Sequence, residues 1–267
     1  MSKITYELMA IDIDGTLLNS ENQISTGSAE ALARLSEGGT LAVLISGRSL
    51  LMLQDYMTSL RVSSYYIGSG GAMVADVSGK VISFNPVARA EAEEIYRKAR
   101  QFDLGVCFHE SRQQNCLISD PHLHARIQKI GAGKITFVDD VLASTPNAPE
   151  KLTVFGARPA LEEFRRDLQR DSFPISMTFS GPNYLEICRS GVDKGHGLTQ
   201  LIQYLGIPPE KVAAIGDQQN DLSMFAIAGL AIAMGNATSE VKSAADVVAP
   251  PNDEGGLAWA INNVVLA

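Results

Sequence analysis

The sequence predicts an α/β fold: a parallel-sheet core, discontinuous in sequence, with an α+β unit carrying an antiparallel sheet inserted between its halves. Three observations lead there. Near both ends of the chain, short apolar runs alternate with helix-period segments, the rhythm of a parallel sheet with right-handed crossovers. Between them, pairs of strand-like runs alternate with single helices. At 267 residues, 45% of them hydrophobic, the chain can build one large domain or two smaller ones.

Taken in order, residues 4–13 read as a strand buried on both faces near its end. ISTGSAEALARLSEGG has helical spacing, with Ala29, Leu32, Ala33 and Leu35 on one stripe and Gly38 as the stop. LAVLI (41–45) is the continuous apolar run of a central parallel strand, SLLMLQDYMTSL a helix, and YYIG (65–68) a strand. AMVADVSGKVIS reads as a hairpin turning at Ser78-Gly79. The rhythm then changes to a helix (88–102), strands (105–108, 115–118), a helix (121–130) started by Asp120-Pro121, strands (134–138, 152–156), a helix (159–170) and strands (175–179, 184–188). STPNAPE (144–150) is its loop. After Gly191 the first rhythm returns: a helix over 194–205 stopped by Gly206, then KVAAIGD as strand, NDLSMFAIAG as helix, LAIAMG as strand, TSEVKSAA as helix, DVVAP as strand and GGLAWAINNVV as helix.

Composition narrows the function. A net charge of −8 argues against a nucleic-acid binder that neutralises phosphates broadly, but leaves room for a small phosphorylated ligand in a local positive field. No basic segment followed by a long apolar region opens the chain, and no apolar run approaches the ~18–20 residues of a membrane span. A soluble, cytoplasmic protein is expected. Cys107, Cys116 and Cys188 lack CxxC spacing and read as reduced structural thiols.

In open parallel sheets, sites lie beyond the carboxyl ends of the strands, and four motifs fall there. Asp12 and Asp14 in DIDGT alternate along an extended segment, which would let their side chains share a face. Ser46 in LISGRS follows strand 41–45, where a hydroxyl and a run of backbone N–H groups can hold a phosphate oxygen. Lys194 in GVDKGHG starts a helix, where a cation opposes the dipole and so needs a bound anion or nearby carboxylates. Asp217, Asn220 and Asp221 follow another apolar run in IGDQQNDLSMF. Each motif alone has a plainer reading: an acidic turn, a Ser-Gly turn, a solvated lysine, a helix cap. Together they bring four acids to neighbouring strand ends. Two carboxylates ~4 Å apart repel by about 4 kcal/mol at an effective dielectric of 20, so the cluster needs a divalent cation, a lysine or shared protons. Oxygen ligands with little histidine point to Mg²⁺.

The ordered set DxDGT, SGR, K and GDxxND resembles the four motifs of the haloacid dehalogenase superfamily. The central insert is similar in position, length and coarse pattern to the α+β cap of its Cof-type phosphatases, class IIB (C2B). The resemblance spans essentially the whole chain. It implies a Rossmann-like core over 1–84 and 189–267, a cap over 85–188, and a Mg²⁺-dependent phosphatase of small phosphorylated metabolites such as sugar phosphates. It also implies roles: Asp12 as nucleophile and Asp14 as general acid and base. Mg²⁺ would be held by Asp12, the backbone carbonyl of Asp14, and Asp217. Phosphate would be held by Ser46, Gly47, Lys194 and Asn220, Lys194 also bridging to Asp12. Asp221 would orient Lys194 and the metal's water, Gly15 would let the chain turn beside the metal, and Thr16 would steady the loop. The chain departs from the family at Gly70, where Asn is usual, and in VDKG, where a small residue often precedes Lys.

Other signals are set aside. IGSGGAM lacks GxGxxG spacing, and GAGKIT lacks the earlier glycine of a P-loop. His122 and His124, two apart on a helix, face different sides and make poor co-ligands. His109, Glu110 and Arg112 read as solvated loop residues, and Arg48 as a residue facing cap or substrate. No nucleic-acid or membrane partner is expected, and the oligomeric state is open. Two rivals use the same residues: a phosphomutase or phosphotransferase, and a non-catalytic sugar-phosphate-binding regulator.

Overall fold

A computed structural model describes residues 5–60, 63–110, 114–117, 124, 125, 127 and 134–267. The helix expected over 121–130, its Asp120-Pro121 start, His122, Arg112 and the glycines of GAGKIT lie wholly or mostly outside the described residues. Backbone proximity divides the chain into two compact units. One is Met1–Gly47, Leu53–Ser83 and Asp193–Ala267; the other is Arg48–Met52 and Phe84–Val192.

In chain order, β1 (Leu8–Asp12), α1 (Thr26–Glu37), β2 (Leu41–Ile45), α2 (Leu50–Leu60), β3 (Ser63–Gly68), β4 (Met73–Asp76) and β5 (Val81–Phe84) come first. The middle of the chain forms α3 (Arg89–Gln101), β6 (Gly105–His109), β7 (Gln114–Leu117), β8 (Ile135–Phe137), α4 (Val141–Ser144), β9 (Lys151–Phe155), α5 (Arg158–Arg170), β10 (Ile175–Gly181) and β11 (Tyr184–Arg189). The last part forms α6 (Lys194–Leu205), β12 (Val212–Gly216), α7 (Leu222–Phe225), β13 (Leu230–Ala233), α8 (Ser239–Ser243), β14 (Val247–Val248) and α9 (Gly256–Ala260).

The first unit is built on an eight-stranded sheet in the order β14-β13-β12-β1-β2-β3-β4-β5. Strands β14 to β3 run parallel, and β4 turns back antiparallel to β3. All five residues of β1 and of β12 are buried, which is why both read as continuous apolar runs: a central parallel strand has no solvent face. Leu8, Ala10, Val43, Ile67, Leu198, Leu201 and Ala214 share one core, each large aliphatic side chain contributing about 1.5–3 kcal/mol by burial. Helix α1 is capped by Ser25, whose side chain accepts the Ser28 N–H. Helix α6 ends at Gly206 in the left-handed conformation, φ 69°. The helix read over NDLSMFAIAG is shorter than its pattern: a 3₁₀ turn over Gln219–Asp221 precedes α7.

The second unit holds a six-stranded sheet in the order β10-β11-β9-β6-β7-β8. It is antiparallel except that β7 and β8 pair in parallel, so the expected antiparallel sheet is mixed at that edge. Val106, Phe108, Leu152, Val154, Leu185 and Ile187 line one face and pack with Ile95 of α3 and Phe164 of α5. The opposite face carries Cys107, His109, Lys151, Thr153 and Glu186.

Two expectations change here. Cys107 and Cys116 are not separate thiols: antiparallel pairing of β6 with β7 sets them directly opposite, Cα atoms 4.0 Å apart, and they form a disulfide. His109 is not in a solvated loop, because β6 runs on to pair His109 with Lys151. Its Nε2 lies 2.8 Å from Thr153 Oγ1. Burial, with Lys151 beside it, holds the imidazole well below its ordinary range and so neutral. His124 is half-buried and stacks on Phe137, ring centroids 3.7 Å apart. Among the described residues, no helix is long and apolar enough to cross a membrane.

Candidate active site

The adjacent parallel strands β12, β1 and β2 end on the same edge of the sheet. That topology alone brings Asp217, Asp12 and Ser46 together. Asp12 is the last residue of β1 and pairs in register with Ile45, so Ser46 follows one step beyond. The Ser46 N–H donates to Ile67 O (2.9 Å), and its carbonyl accepts the Gly70 N–H (3.0 Å). Ser46 is buried; Gly47 and Arg48 beyond it are half-buried.

Lys194 opens α6 and is 2% exposed. Its ammonium donates to Asp12 Oδ1 at 2.6 Å and to Asp221 Oδ1 at 2.5 Å. The two carboxylates answer the question raised by a cation at a helix N-terminus, because together they outweigh the dipole. Burial by itself would push the Lys194 ammonium down, but Asp12 and Asp221 hold it above its ordinary range. The second oxygen of Asp221 accepts the N–H groups of Asp217 (2.9 Å) and Gln218 (3.0 Å). Asp221 is thereby committed to fixing Lys194 on one side and the 217–218 backbone on the other. Gly216 makes room for it, since a Cβ there would lie 2.4 Å from Asp221 Oδ2.

Asp217 is held differently. Its Oδ2 accepts from Gln218 Nε2 (2.9 Å) and Asn236 Nδ2 (3.2 Å), while its Oδ1 is buried and has no hydrogen-bond partner. Gly15 sits against it at φ 85°, a conformation that favours glycine, and a Cβ there would lie 2.4 Å from Asp217 Oδ2. Carboxylate oxygens of Asp12, Asp217 and Asp221 all lie within 4.8 Å of one another.

Asp14 differs from the expectation of a shared strand face. Strand β1 stops at Asp12, and Asp14 is exposed in the following turn, outside that cluster. It still lies close enough for its charge to act on Asp217. Thr16 is buried, its N–H donating to Ile13 O at 3.4 Å, but its hydroxyl has no hydrogen-bond partner. Asn220 is exposed on the 3₁₀ turn, its carbonyl accepting from Ser223 Oγ. Asn236 and Gln218 are the contributors that the motifs did not reveal. Asn236 follows β13 in AIAMGNAT, where an Asn after a Gly reads as an ordinary turn.

The site is overloaded with negative charge. Burial pushes the Asp12 carboxyl up to about 7 even with Lys194 pulling it down, and neighbouring Asp221 and Asp217 add to the rise. Burial also raises Asp217, against the Gln218 hydrogen bond. With all three carboxylates ionised, one ammonium would leave an excess of two negative charges, and the rise at Asp12, which burial drives first, eases that excess. An all-oxygen donor set with one buried, partnerless carboxylate oxygen fits a hard divalent cation such as Mg²⁺.

A family model of haloacid dehalogenase-like hydrolases matches residues 9–261. The chain belongs to that family. Among its relatives, the 5-amino-6-(5-phospho-D-ribitylamino)uracil phosphatase YcsE of Bacillus subtilis is 29% identical, the match covering 98% of this chain and 97% of the relative. Pyridoxal phosphate phosphatase YbhA of Escherichia coli is 26% identical over 96% and 97%. The crystal structure of a haloacid dehalogenase-like hydrolase from Bacteroides thetaiotaomicron superposes with a TM-score of 0.90 at 31% identity, covering 97% of this chain and all of that one. Its family and these likenesses make the chain an enzyme of the phosphohydrolase class.

Proposed function

We propose that the chain is a Mg²⁺-dependent phosphatase that releases phosphate from small phosphorylated metabolites, sugar phosphates foremost, through an aspartyl phosphate on Asp12. The observation that carries this reading is the buried Lys194 ammonium shared by Asp12 and Asp221 beside the partnerless Asp217 Oδ1.

Asp12, the Asp14 carbonyl and Asp217 would hold Mg²⁺, which when bound supplies the positive charge that lets a phosphate dianion approach a carboxylate. Lys194 orients Asp12 for in-line attack on phosphorus and, with the Ser46 hydroxyl and Gly47, grips the phosphoryl oxygens; Asn220 adds a further contact. As the Asp12 oxygen bonds to phosphorus, the ester P–O bond breaks and Asp14 gives its proton to the leaving oxygen. Asp14 then takes a proton from the water that attacks the aspartyl phosphate, freeing inorganic phosphate and restoring Asp12. The exposed position of Asp14 suits a group that must meet both leaving group and water. Asp221 keeps Lys194 in place throughout.

In this reading residues 1–84 and 189–267 form the catalytic core and 85–188 a cap that selects the substrate, with Arg48 facing the bound metabolite. The named activities of the relatives, on a phosphoribitylamino uracil and on pyridoxal phosphate, favour small phosphate-bearing molecules as the substrate class.

The test is inorganic phosphate release from a panel of phosphorylated metabolites, with Mg²⁺ and with EDTA, beside the Asp12→Asn variant. Release that requires both metal and Asp12 is expected. Release that persists in Asp12→Asn would overturn the nucleophile. A folded, metal-loaded protein that releases nothing but phosphorylates a second sugar hydroxyl would make it a transferase.

A further inference from the structure

We infer that Asn236 is a positioning residue for the metal: one side-chain amide clamps the loop after β1 to Asp217 and turns the free oxygen of Asp217 toward the cation. The inference rests on the Mg²⁺ reading above and assigns a residue outside the four motifs.

The amide is constrained on both sides. Its Oδ1 accepts the Asn252 N–H at 3.0 Å, while its Nδ2 donates to Gly15 O at 2.9 Å and to Asp217 Oδ2 at 3.2 Å. A flipped amide would set oxygen against two acceptors and nitrogen against a donor, so the orientation is determined by its partners. The backbone that carries it is tied as well. The Met234 N–H donates to Gly216 O (3.0 Å), one residue before Asp217, and the Gly235 N–H to Pro250 O (3.2 Å).

This clamp ties together the loops that follow the paired strands β1 and β12, beyond the last pair of their register, Ile11 with Ile215. The peptide at Gly15 follows directly on Asp14, and Asp217 follows β12. Gln218 Nε2 donates to the same Asp217 oxygen as Asn236 (2.9 Å). With two donors on Oδ2, the carboxylate cannot rotate without losing both bonds, and Oδ1 stays buried and partnerless. Groups that orient metal ligands typically change metal affinity about 10–100-fold when removed.

The experiment is calorimetric titration of Mg²⁺ into the wild-type protein, Asn236→Ala and Asn252→Ala. Thermal unfolding in EDTA and kcat at saturating Mg²⁺ accompany each titration. Asn252→Ala is the control for loop damage: it removes the Nδ2 bond to Leu18 O (2.9 Å) but keeps the backbone N–H that Asn236 uses. Asn236→Ala is expected to weaken Mg²⁺ binding about 10–100-fold, to recover most of kcat at saturating metal, and to unfold in EDTA no earlier than the control. The control is expected to bind Mg²⁺ like the wild type. Wild-type Mg²⁺ affinity in Asn236→Ala, or an equal loss in both variants, would overturn the inference and leave the phosphatase reading standing. A wild-type protein that binds no Mg²⁺ would overturn both.

Discussion

In the core, Lys194 is shared by two carboxylates at strand ends, and a third carboxylate stands beside them with an oxygen unfilled. In the insert, Lys151 is almost as buried and opens β9, its ammonium paired with Glu186 at 2.8 Å, near His109 on Thr153. The first arrangement carries excess negative charge and pays attention to no single pair; the second is balanced locally, one cation to one anion. A cluster that is not neutral by itself implies a charged visitor, whereas a neutral, half-buried pair only needs to stay together. The same residue types thus build a charge-unbalanced cluster in one sheet and a locally balanced pair in the other.

The comparison breaks most sharply at Asp12. Asp12→Asn is expected to lower phosphate release by about 10³-fold or more, with the fold kept, as measured by steady-state release and circular dichroism. Lys194→Met comes next. Leaving Asp12 and Asp221 buried without their cation should cost about 3–5 kcal/mol in urea unfolding in EDTA, together with nearly all activity. In Gly15→Ala the new Cβ would collide with Asp217 Oδ2, so the rise in unfolding temperature produced by Mg²⁺ should shrink or vanish. On the insert side, Glu186→Gln keeps a hydrogen-bond acceptor for Lys151, and a loss of about 1–2 kcal/mol is expected with Mg²⁺ binding unchanged.

The two regions should also respond to pH with opposite sign. Asp12 is raised from 3.8 to about 7 in the folded protein, so the folded state binds the extra proton between those values. Stability in EDTA should therefore fall as pH rises from about 4 to about 7, and Mg²⁺ binding should strengthen over the same range. His109 is lowered, so the unfolded state binds the extra proton below about 6.5, and its contribution is lost as pH falls. Urea midpoints against pH would separate the two: Asp12→Asn should flatten the first slope and His109→Gln the second.

What the sequence made legible follows the same division. Strand-end motifs survive in one dimension, because β1 ends in Asp12 while Ser46 and Asp217 directly follow β2 and β12, and neighbouring parallel strands deliver those ends to one edge. Asn236 was not legible: its bonds reach Gly15 and Asp217, far apart in sequence, and a turn asparagine announces neither. In the insert, a disulfide between Cys107 and Cys116 depends on the register of β6 against β7, which spacing alone does not specify. By sequence His109 reads as loop, because a polar residue at the end of an apolar run looks like an exit from the strand, whereas in the fold it meets Thr153 and Lys151. The parallel β7–β8 pair escaped for a related reason: strand direction depends on the connection, not on the strands' own residues.

If Asp12 is the nucleophile, it carries the phosphoryl group during turnover. The most direct test is rapid acid quench of the Mg²⁺-loaded enzyme turning over p-nitrophenyl phosphate, followed by mass spectrometry of the peptide containing Asp12. A transient phosphoryl adduct on Asp12 that forms before inorganic phosphate appears, and is absent from Asp12→Asn, is the predicted result. Phosphate release at full rate with no adduct on that peptide would show that Asp12 is not the nucleophile.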